Sequence, residues 1–124
     1  MQEEKRLTAA GEYGMKKWPH GIAVIINNEK FATLKPRAGT EVDERNLIQL
    51  FSYLGYVVEK HRDCSSRKIY EIMNDIKNRD HSKYDSFICC ILSHGLEGLI
   101  YGSDDQKVSL DEVTTTINGD NAGA

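Results

Sequence analysis

A continuous apolar run in this chain ends abruptly at a histidine followed by a glycine. The run Ser86–Leu92 (SFICCIL) leads directly into Ser93, His94 and Gly95. It has the length of a β-strand and falls well short of the roughly 20 residues that a membrane-spanning helix needs. Because residues on both of its faces are apolar, we predict a strand buried on both sides, as in the parallel sheets of α/β proteins.

Two further strands and two helices are predicted upstream of this run. Gly21–Asn28 (GIAVIINN) is short, apolar and rich in β-branched residues, whereas Tyr56–Asp63 (YVVEKHRD) is more polar and is placed nearer a sheet edge. Apolar residues recur at helical spacing between the strands, at Leu47, Leu50, Phe51 and Leu54 and again at Ile69, Ile72, Met73 and Ile76. Thr40 and Ser65 or Ser66 are the predicted N-caps of these two helices.

The alternation of strands and helices predicts an α/β fold with a mostly parallel central sheet between helical layers. A small hairpin turning at Ser103–Asp105 and a last helix capped by Ser109 follow the third strand. We expect residues 1–20 to be a flexible arm, 21–119 one domain and 120–124 a disordered tail. In the strand order second–first–third, one edge of the third strand has no neighbour, so we expect an aggregation-prone edge and marginal solubility.

Charge and cysteine content exclude several classes of function. The net charge is −3, from 16 basic and 19 acidic residues, which argues against a nucleic-acid partner. Three cysteines, two of them adjacent, do not form a disulfide framework, and the polar N-terminus lacks the apolar core of a secretory signal. We therefore predict a cytoplasmic location without a membrane partner. Neither metal-ligand spacing nor a phosphate-binding loop is present, so no metal or cofactor is expected.

Arg37 and His94 are the candidate site residues. Arg37 lies in the loop after the first strand, His94 follows the third, and sites of open parallel sheets gather at the carboxyl ends of strands. An arginine there can bind a carboxylate, and Gly95 can offer its N–H to an oxyanion. Alternatively, His94 is an ordinary loop histidine, and Arg37 is solvated or pairs with Asp43.

None of the three cysteines is placed to serve His94. Cys89 and Cys90 lie in mid-strand, where free cysteine behaves as a small apolar residue. Cys90 precedes His94 by four strand positions, about 13 Å of rise, which is beyond hydrogen-bond reach. Cys64 follows the second strand, two strands away from His94, and is interpreted as a residue of the helix-cap region.

Four segments in order, GIAVIINNEKF, RAGTEVDERNL, LGYVVEK and DHSKYDSFICCILSHGLEGLIYG, resemble the large subunit of caspases. The resemblance extends over roughly 21–119, and its specific motifs are Arg-x-Gly-Thr-x-x-Asp and Ser-His-Gly. It implies a caspase-like α-β-α fold and a cysteine protease that cleaves after aspartate. By motif match it makes His94 the catalytic histidine, Gly95 an oxyanion-hole glycine and Arg37 an arginine that binds the substrate aspartate.

One part of the caspase pattern is missing. The nucleophile of the family lies in a Gln-Ala-Cys-x-Gly motif, about 50 residues after the histidine. Only 30 residues follow His94 here, and none is cysteine. We therefore predict a large-subunit fragment that is inactive alone, with aspartate-containing peptides as substrates of the longer protein and a caspase small subunit as partner. The alternatives are a catalytically dead decoy that binds and regulates an active caspase, and a binding module unrelated to proteases.

Overall fold

The computed structural model describes the backbone of residues 3–12, 19–79 and 86–118, and the side chains of 19–79 and 86–115. The predicted tail at 120–124 lies outside this range. In chain order the elements are β1 (Glu3–Glu12), β2 (Gly21–Asn27), α1 (Thr40–Tyr53), β3 (Tyr56–Arg62), α2 (Ser66–Asn78), β4 (Ser86–Leu96), β5 (Leu99–Tyr101), β6 (Lys107–Ser109) and α3 (Leu110–Asn118).

The described strands form one mixed sheet. Its order is β3-β2-β4-β5-β6, with β1 also paired to β4. The three main strands β3, β2 and β4 run parallel, and the remaining described pairs are antiparallel. This confirms the predicted α/β class and the second–first–third order of the main strands.

Helices cover both faces of the sheet, and alternate residues of β2 and β4 point to opposite layers. The face towards α1 is a cluster of Ala23, Ile25, Leu47, Phe51, Cys90 and Leu92. The opposite face packs against α2 and α3 and includes Val24, Ile26, Ile69, Met73, Cys89, Ile91 and Val113. The predicted three-layer α-β-α arrangement is therefore confirmed.

The two predicted helix starts have different outcomes. Ser65 caps α2, since its side chain accepts a hydrogen bond from the Lys68 amide at 3.1 Å. In α1 the predicted cap Thr40 is instead the first helical residue. Gly39 is the N-cap, in the left-handed conformation with a φ of 75° and without a side-chain cap. Glycine adopts this conformation without the steric cost that a Cβ atom would add.

The buried face of α1 differs from the predicted stripe. Leu47 and Phe51 are buried, but Leu50 and Leu54 are 48% and 44% exposed. Glu44 takes part in the buried face instead, because its carboxylate pairs with Arg62 of β3 at 3.3 Å. The face of α1 that lies towards the sheet therefore contains a paired acid in place of the two predicted leucines.

Residues 3–12 form β1, which corrects the prediction of a flexible arm for this segment. The strand pairs antiparallel with β4 from Ser86 to Gly95. The edge of β4 expected to be bare is therefore covered over that length. The strand was missed because edge pairing uses backbone N–H and C=O groups, which leave no apolar periodicity in the sequence.

The predicted hairpin after β4 is confirmed. Its strands β5 and β6 pair from Leu99–Ser109 to Tyr101–Lys107, and β5 also pairs with β4 at Gly95 and Leu96. In the turn, Asp105 has a φ of 64° and donates its amide to the Gly102 carbonyl at 3.0 Å. Ser109 accepts from the Glu112 amide at 3.3 Å, as predicted for the start of α3. The turn lies beside the residues that follow β2 and β3, since the Ser103 carbonyl accepts from the Ala32 amide and the Ser103 amide donates to the Cys64 carbonyl.

Candidate active site

The carboxyl ends of β2 and β4 lie side by side. Asn27 pairs with Leu92, and the Asn28 amide donates to the Leu92 carbonyl at 2.9 Å. Beyond this point β2 continues into the β2–α1 loop (residues 28–39), whereas β4 continues as a strand to Leu96. His94 therefore lies within β4, which corrects the predictions that it follows the strand or is a loop histidine. The β2–α1 loop and the last residues of β4 meet at one edge of the sheet, as expected for parallel strands.

His94 is held by the β2–α1 loop and is only 9% exposed. Its Nε2 lies 2.6 Å from the carbonyl oxygen of Lys35. Its ring packs against Phe31, with the ring centroids 4.9 Å apart. A carbonyl oxygen only accepts hydrogen bonds, so Nε2 carries a proton.

The other ring nitrogen of His94 has no hydrogen-bond partner among the described residues. The Nδ1 atom of His94 is buried. With Nε2 donating to Lys35, this nitrogen holds the lone pair of the neutral ring. The arrangement orients the ring through Nε2 and leaves on the buried Nδ1 the lone pair that a general base requires.

Arg37 is buried at 3% exposure, so the interpretation as a solvated surface arginine is wrong. Its Nη1 donates to the Asn27 side-chain oxygen at 3.2 Å and to the Asn28 carbonyl at 2.9 Å. Its backbone amide donates to the Glu29 carbonyl at 2.9 Å. These contacts fix a guanidinium group at the end of β2, two residues after the carbonyl that holds His94.

Gly95 is a paired residue within β4. It lies opposite Ile100 of β5 and opposite Glu3 of β1, and it is buried. The role of the Gly95 amide as a hydrogen-bond donor to an oxyanion stays a prediction.

Asn28 links the strands that surround this edge. Its side-chain oxygen accepts from the Cys64 amide at 2.7 Å. Its side-chain nitrogen lies 3.3 Å from the carbonyl oxygens of Cys64 and Tyr101 and 3.4 Å from the Ser93 hydroxyl. This fully buried amide therefore joins β2 to the ends of β3, β4 and β5 and sets their relative positions.

The described cysteines are buried free thiols, and none of them is placed to act as a nucleophile beside His94. Burial raises the pKa of Cys89 to about 12, and its sulfur lies 3.8 Å from that of Met73. Cys90 packs in the cluster below α1. Cys64 is 4% exposed, burial raises its pKa, and it belongs to the core cluster on the opposite face of the sheet.

Four contacts of this site were missed from the sequence. Lys35 acts through its backbone, and Phe31 lies in a loop without periodicity. The only signal for Lys35 is that it precedes Pro36, which favours an extended backbone at that position. Asn27 and Asn28 were taken as the end of a strand, although two polar residues directly after a buried parallel strand mark a site edge.

Within the described ranges, no group of three His, Cys, Asp or Glu residues is arranged to hold a metal ion. No described helix has the length and apolar composition that a membrane crossing requires.

The fold and this edge define an α/β protein in which one loop holds an oriented histidine and carries a buried arginine, and α/β proteins include hydrolases of the nucleophile–histidine type. The chain belongs to the caspase family: a family model described as the caspase domain matches residues 20–124. It is 34% identical to caspase-8 of Rattus norvegicus over 128 aligned residues, covering 95% of this chain and 27% of that protein. It is 43% identical to caspase-3 of Mus musculus over 103 residues, covering 81% of this chain and 37% of that protein. The chain thus spans only about a quarter to a third of the length of these relatives.

Proposed function

We propose that this chain supplies the histidine-bearing part of a caspase large subunit, in a cysteine-type endopeptidase that cleaves after aspartate. The observation that carries the proposal is the His94 ring, with Nε2 on the Lys35 carbonyl and Nδ1 without a partner among the described residues. A histidine held in this way can accept the proton of a thiol placed beside Nδ1.

The proposed chemistry needs a cysteine from outside this sequence. Its thiol transfers the proton to Nδ1 of His94, and the thiolate forms a bond to the carbonyl carbon of the scissile peptide. The Gly95 N–H stabilises the resulting oxyanion. The protonated His94 then gives its proton to the leaving amine as the C–N bond breaks, and water later hydrolyses the thioester.

Arg37 is proposed to bind the aspartate side chain of the substrate. Its guanidinium is fixed at the carboxyl edge by Asn27 and Asn28. A planar, permanently charged group held rigidly matches the geometry of a carboxylate. Protein or peptide substrates with aspartate at the cleavage site are the expected partners.

We propose that this chain alone has no peptidase activity and needs a partner such as a caspase small subunit or another caspase. No residue after Cys90 is a cysteine. The three thiols present are buried, two of them in the middle of β4 and the third, Cys64, after β3. Three free cysteines fit a reducing compartment, which supports a cytoplasmic location.

Two measurements test this proposal. An antibody to the 56–85 segment, used on source cells, should detect a species well above 14.0 kDa, or a longer precursor cut into pieces. The purified 124-residue chain should not cleave a fluorogenic aspartyl peptide. Turnover that is lost in His94→Ala would contradict the inactivity, whereas turnover that survives His94→Ala identifies a contaminant.

A second candidate is a dead decoy that binds and regulates an active caspase. The pairing of β1 with β4 favours it, because it gives the central sheet a covered edge without any further chain. A stable 14.0 kDa species that co-purifies with an active caspase from source cells would support the decoy. A longer precursor without such a species would support the fragment of an active enzyme.

A further inference from the structure

The β2–α1 loop carries both groups that the candidate site depends on, the Lys35 carbonyl and the Arg37 side chain. It has no helix or strand of its own to fix its backbone. A loop of this kind holds a catalytic geometry only if other elements bind its amides and carbonyls. Two aspartates elsewhere in the chain supply side-chain contacts of this kind.

Asp63 and Asp105 bind the loop at different positions. The Asp63 carboxylate accepts from the amides of Glu29 and Lys30, at 2.8 and 3.0 Å. The Asp105 carboxylate accepts from the Thr33 amide at 2.7 Å, from the Thr33 hydroxyl at 2.5 Å and from the Leu34 amide at 3.4 Å. Asp105 therefore acts on the two residues directly before Lys35.

Both aspartates have an uncommon backbone conformation. They are the non-glycine residues with positive φ in the described part of the chain, at 51° for Asp63 and 64° for Asp105. This conformation is unfavourable for a residue with a Cβ atom and persists where surrounding contacts determine it. At Asp105, the bonds of its carboxylate to the loop are contacts of that kind.

The turn that carries Asp105 is attached to the loop and to the sheet. The Ser103 carbonyl accepts from the Ala32 amide at 2.9 Å, and the Ser103 amide donates to the Cys64 carbonyl at 2.8 Å. The hydrogen bonds from Thr33 hold the pKa of Asp105 below its ordinary value, so the carboxylate is charged at neutral pH. The β5–β6 turn thus clamps residues 32–34 with a charged acceptor and a carbonyl.

We propose that Asp105 is a positioning residue for His94. It fixes the backbone of Thr33 and Leu34, and this holds the Lys35 carbonyl on Nε2 of His94 and leaves Nδ1 as the proton acceptor. The catalytic meaning of this clamp rests on the proposed function. The clamp itself is a property of the 124-residue chain and can be measured without any peptidase activity.

The neighbouring Asp104 provides a matched control. Its carboxylate accepts from the amide and the hydroxyl of Ser66, both at 3.1 Å, and from the Gln106 amide at 3.3 Å. These contacts serve the start of α2 and the turn itself. Asp104→Asn therefore changes the same charge in the same turn without touching the β2–α1 loop.

The test is the tautomer of His94 in the full chain, read from two-bond proton–nitrogen spectra of ¹⁵N-labelled protein at neutral pH. His94→Gln assigns the signals. The variant Asp105→Gly removes the carboxylate while allowing the positive φ of the turn. Asp105→Asn keeps one acceptor oxygen and tolerates the same conformation.

We expect the wild-type ring to carry its proton on Nε2 alone. Asp105→Gly should raise the Nδ1-protonated fraction about tenfold, the scale of one hydrogen bond to a charged acceptor, and Asp105→Asn should lie between the two. Asp104→Asn should match the wild type. If Asp105→Gly does not fold, the comparison of Asp105→Asn with Asp104→Asn decides.

The proposal is overturned if the Asp105 variants keep the wild-type tautomer, or if Asp104→Asn shifts it equally. A failure of the proposed function has a different signature. If the longer protein proves to cleave no aspartyl peptide, but the tautomer responds to Asp105 and not to Asp104, the clamp stands and the role of His94 as a base falls.

Discussion

Nε2 of His94 is hydrogen-bonded to the carbonyl oxygen of Lys35, a residue 59 positions earlier in the chain, at 2.6 Å. The orienting group is a backbone dipole, so the imidazole carries no carboxylate partner at this contact. Its position depends on the course of the β2–α1 loop, and no side-chain substitution at Lys35 removes the acceptor. The residues that fix this loop are therefore the ones whose substitution tests the site.

Arg37→Ala should destabilise the chain by about 2 kcal/mol, because it leaves the Asn27 side-chain oxygen and the Asn28 carbonyl short of a buried donor. Urea unfolding followed by circular dichroism measures the change. The matched control is Arg45→Ala on the exposed side of α1, expected within about 0.5 kcal/mol of the wild type. Equal effects of the two variants would mean that Arg37 does not hold the loop.

Asn28→Ala should cost about 3 kcal/mol, since its amide satisfies backbone groups of Cys64 and Tyr101 in a fully buried place. The control is Asn74→Ala on the exposed face of α2, where helix propensity alone predicts a small gain. Thermal and urea unfolding report both variants. A loss below about 1 kcal/mol in Asn28→Ala would show that water replaces the amide at this edge.

The elements that were predicted correctly are those in which burial determines where apolar residues occur. In β2 and β4 both faces are covered by helices, and the unbroken apolar runs reflect this directly. In α2 the four residues predicted to be apolar contacts, Ile69, Ile72, Met73 and Ile76, are all buried. A periodic pattern is reliable where one layer of packing determines it.

The features that were missed depend on partners far away in the chain. Glu44 enters the buried face of α1 only because Arg62 of β3 lies opposite. The Lys35 contact is made by a backbone group, which is the same for every residue type. The pairing of β1 with β4 also uses backbone groups, so the charged segment EEKRLTAAGE gave no strand pattern. Spacing along one segment contains none of this information.

The ion pair between Arg79 and Glu59 should make stability depend on pH. Arg79 donates two hydrogen bonds to Glu59, at 2.7 and 2.9 Å, and these bonds lower the pKa of Glu59 below its ordinary value. A depressed carboxylate pKa contributes stability above the ordinary value of 4.5, and the contribution is lost as pH falls through the folded-state pKa.

Arg79→Gln, which also removes the contact of Arg79 with Asp75 at 2.6 Å, should cost about 1 kcal/mol at pH 7, since Arg79 and Glu59 are about one-third exposed, and less at pH 3. Urea unfolding at the two pH values measures this difference. Arg67→Gln is the control, because its pair with Glu71 is 88% and 55% exposed and should contribute little at either pH. A loss in Arg79→Gln that is the same at pH 3 and pH 7 would point to packing of the side chain instead.

Removal of β1 should convert the chain into an associating species. A chain that begins at Pro19 leaves the backbone of β4 from Ser86 to Gly95 without its antiparallel partner. An apolar strand with unpaired N–H and C=O groups recruits strands from other molecules. Sedimentation velocity at increasing concentration should show oligomers for the truncated chain and fewer for the full chain.

A synthetic peptide with the sequence of β1, EEKRLTAAGE, should restore the monomer when added in excess. The control peptide carries Thr8→Pro, which removes one backbone donor and disfavours the strand, so it should restore less. A truncated chain that stays monodisperse without peptide would contradict the covering role of β1. Rescue by both peptides alike would show that solvation by a charged peptide, rather than strand pairing, keeps the chain apart.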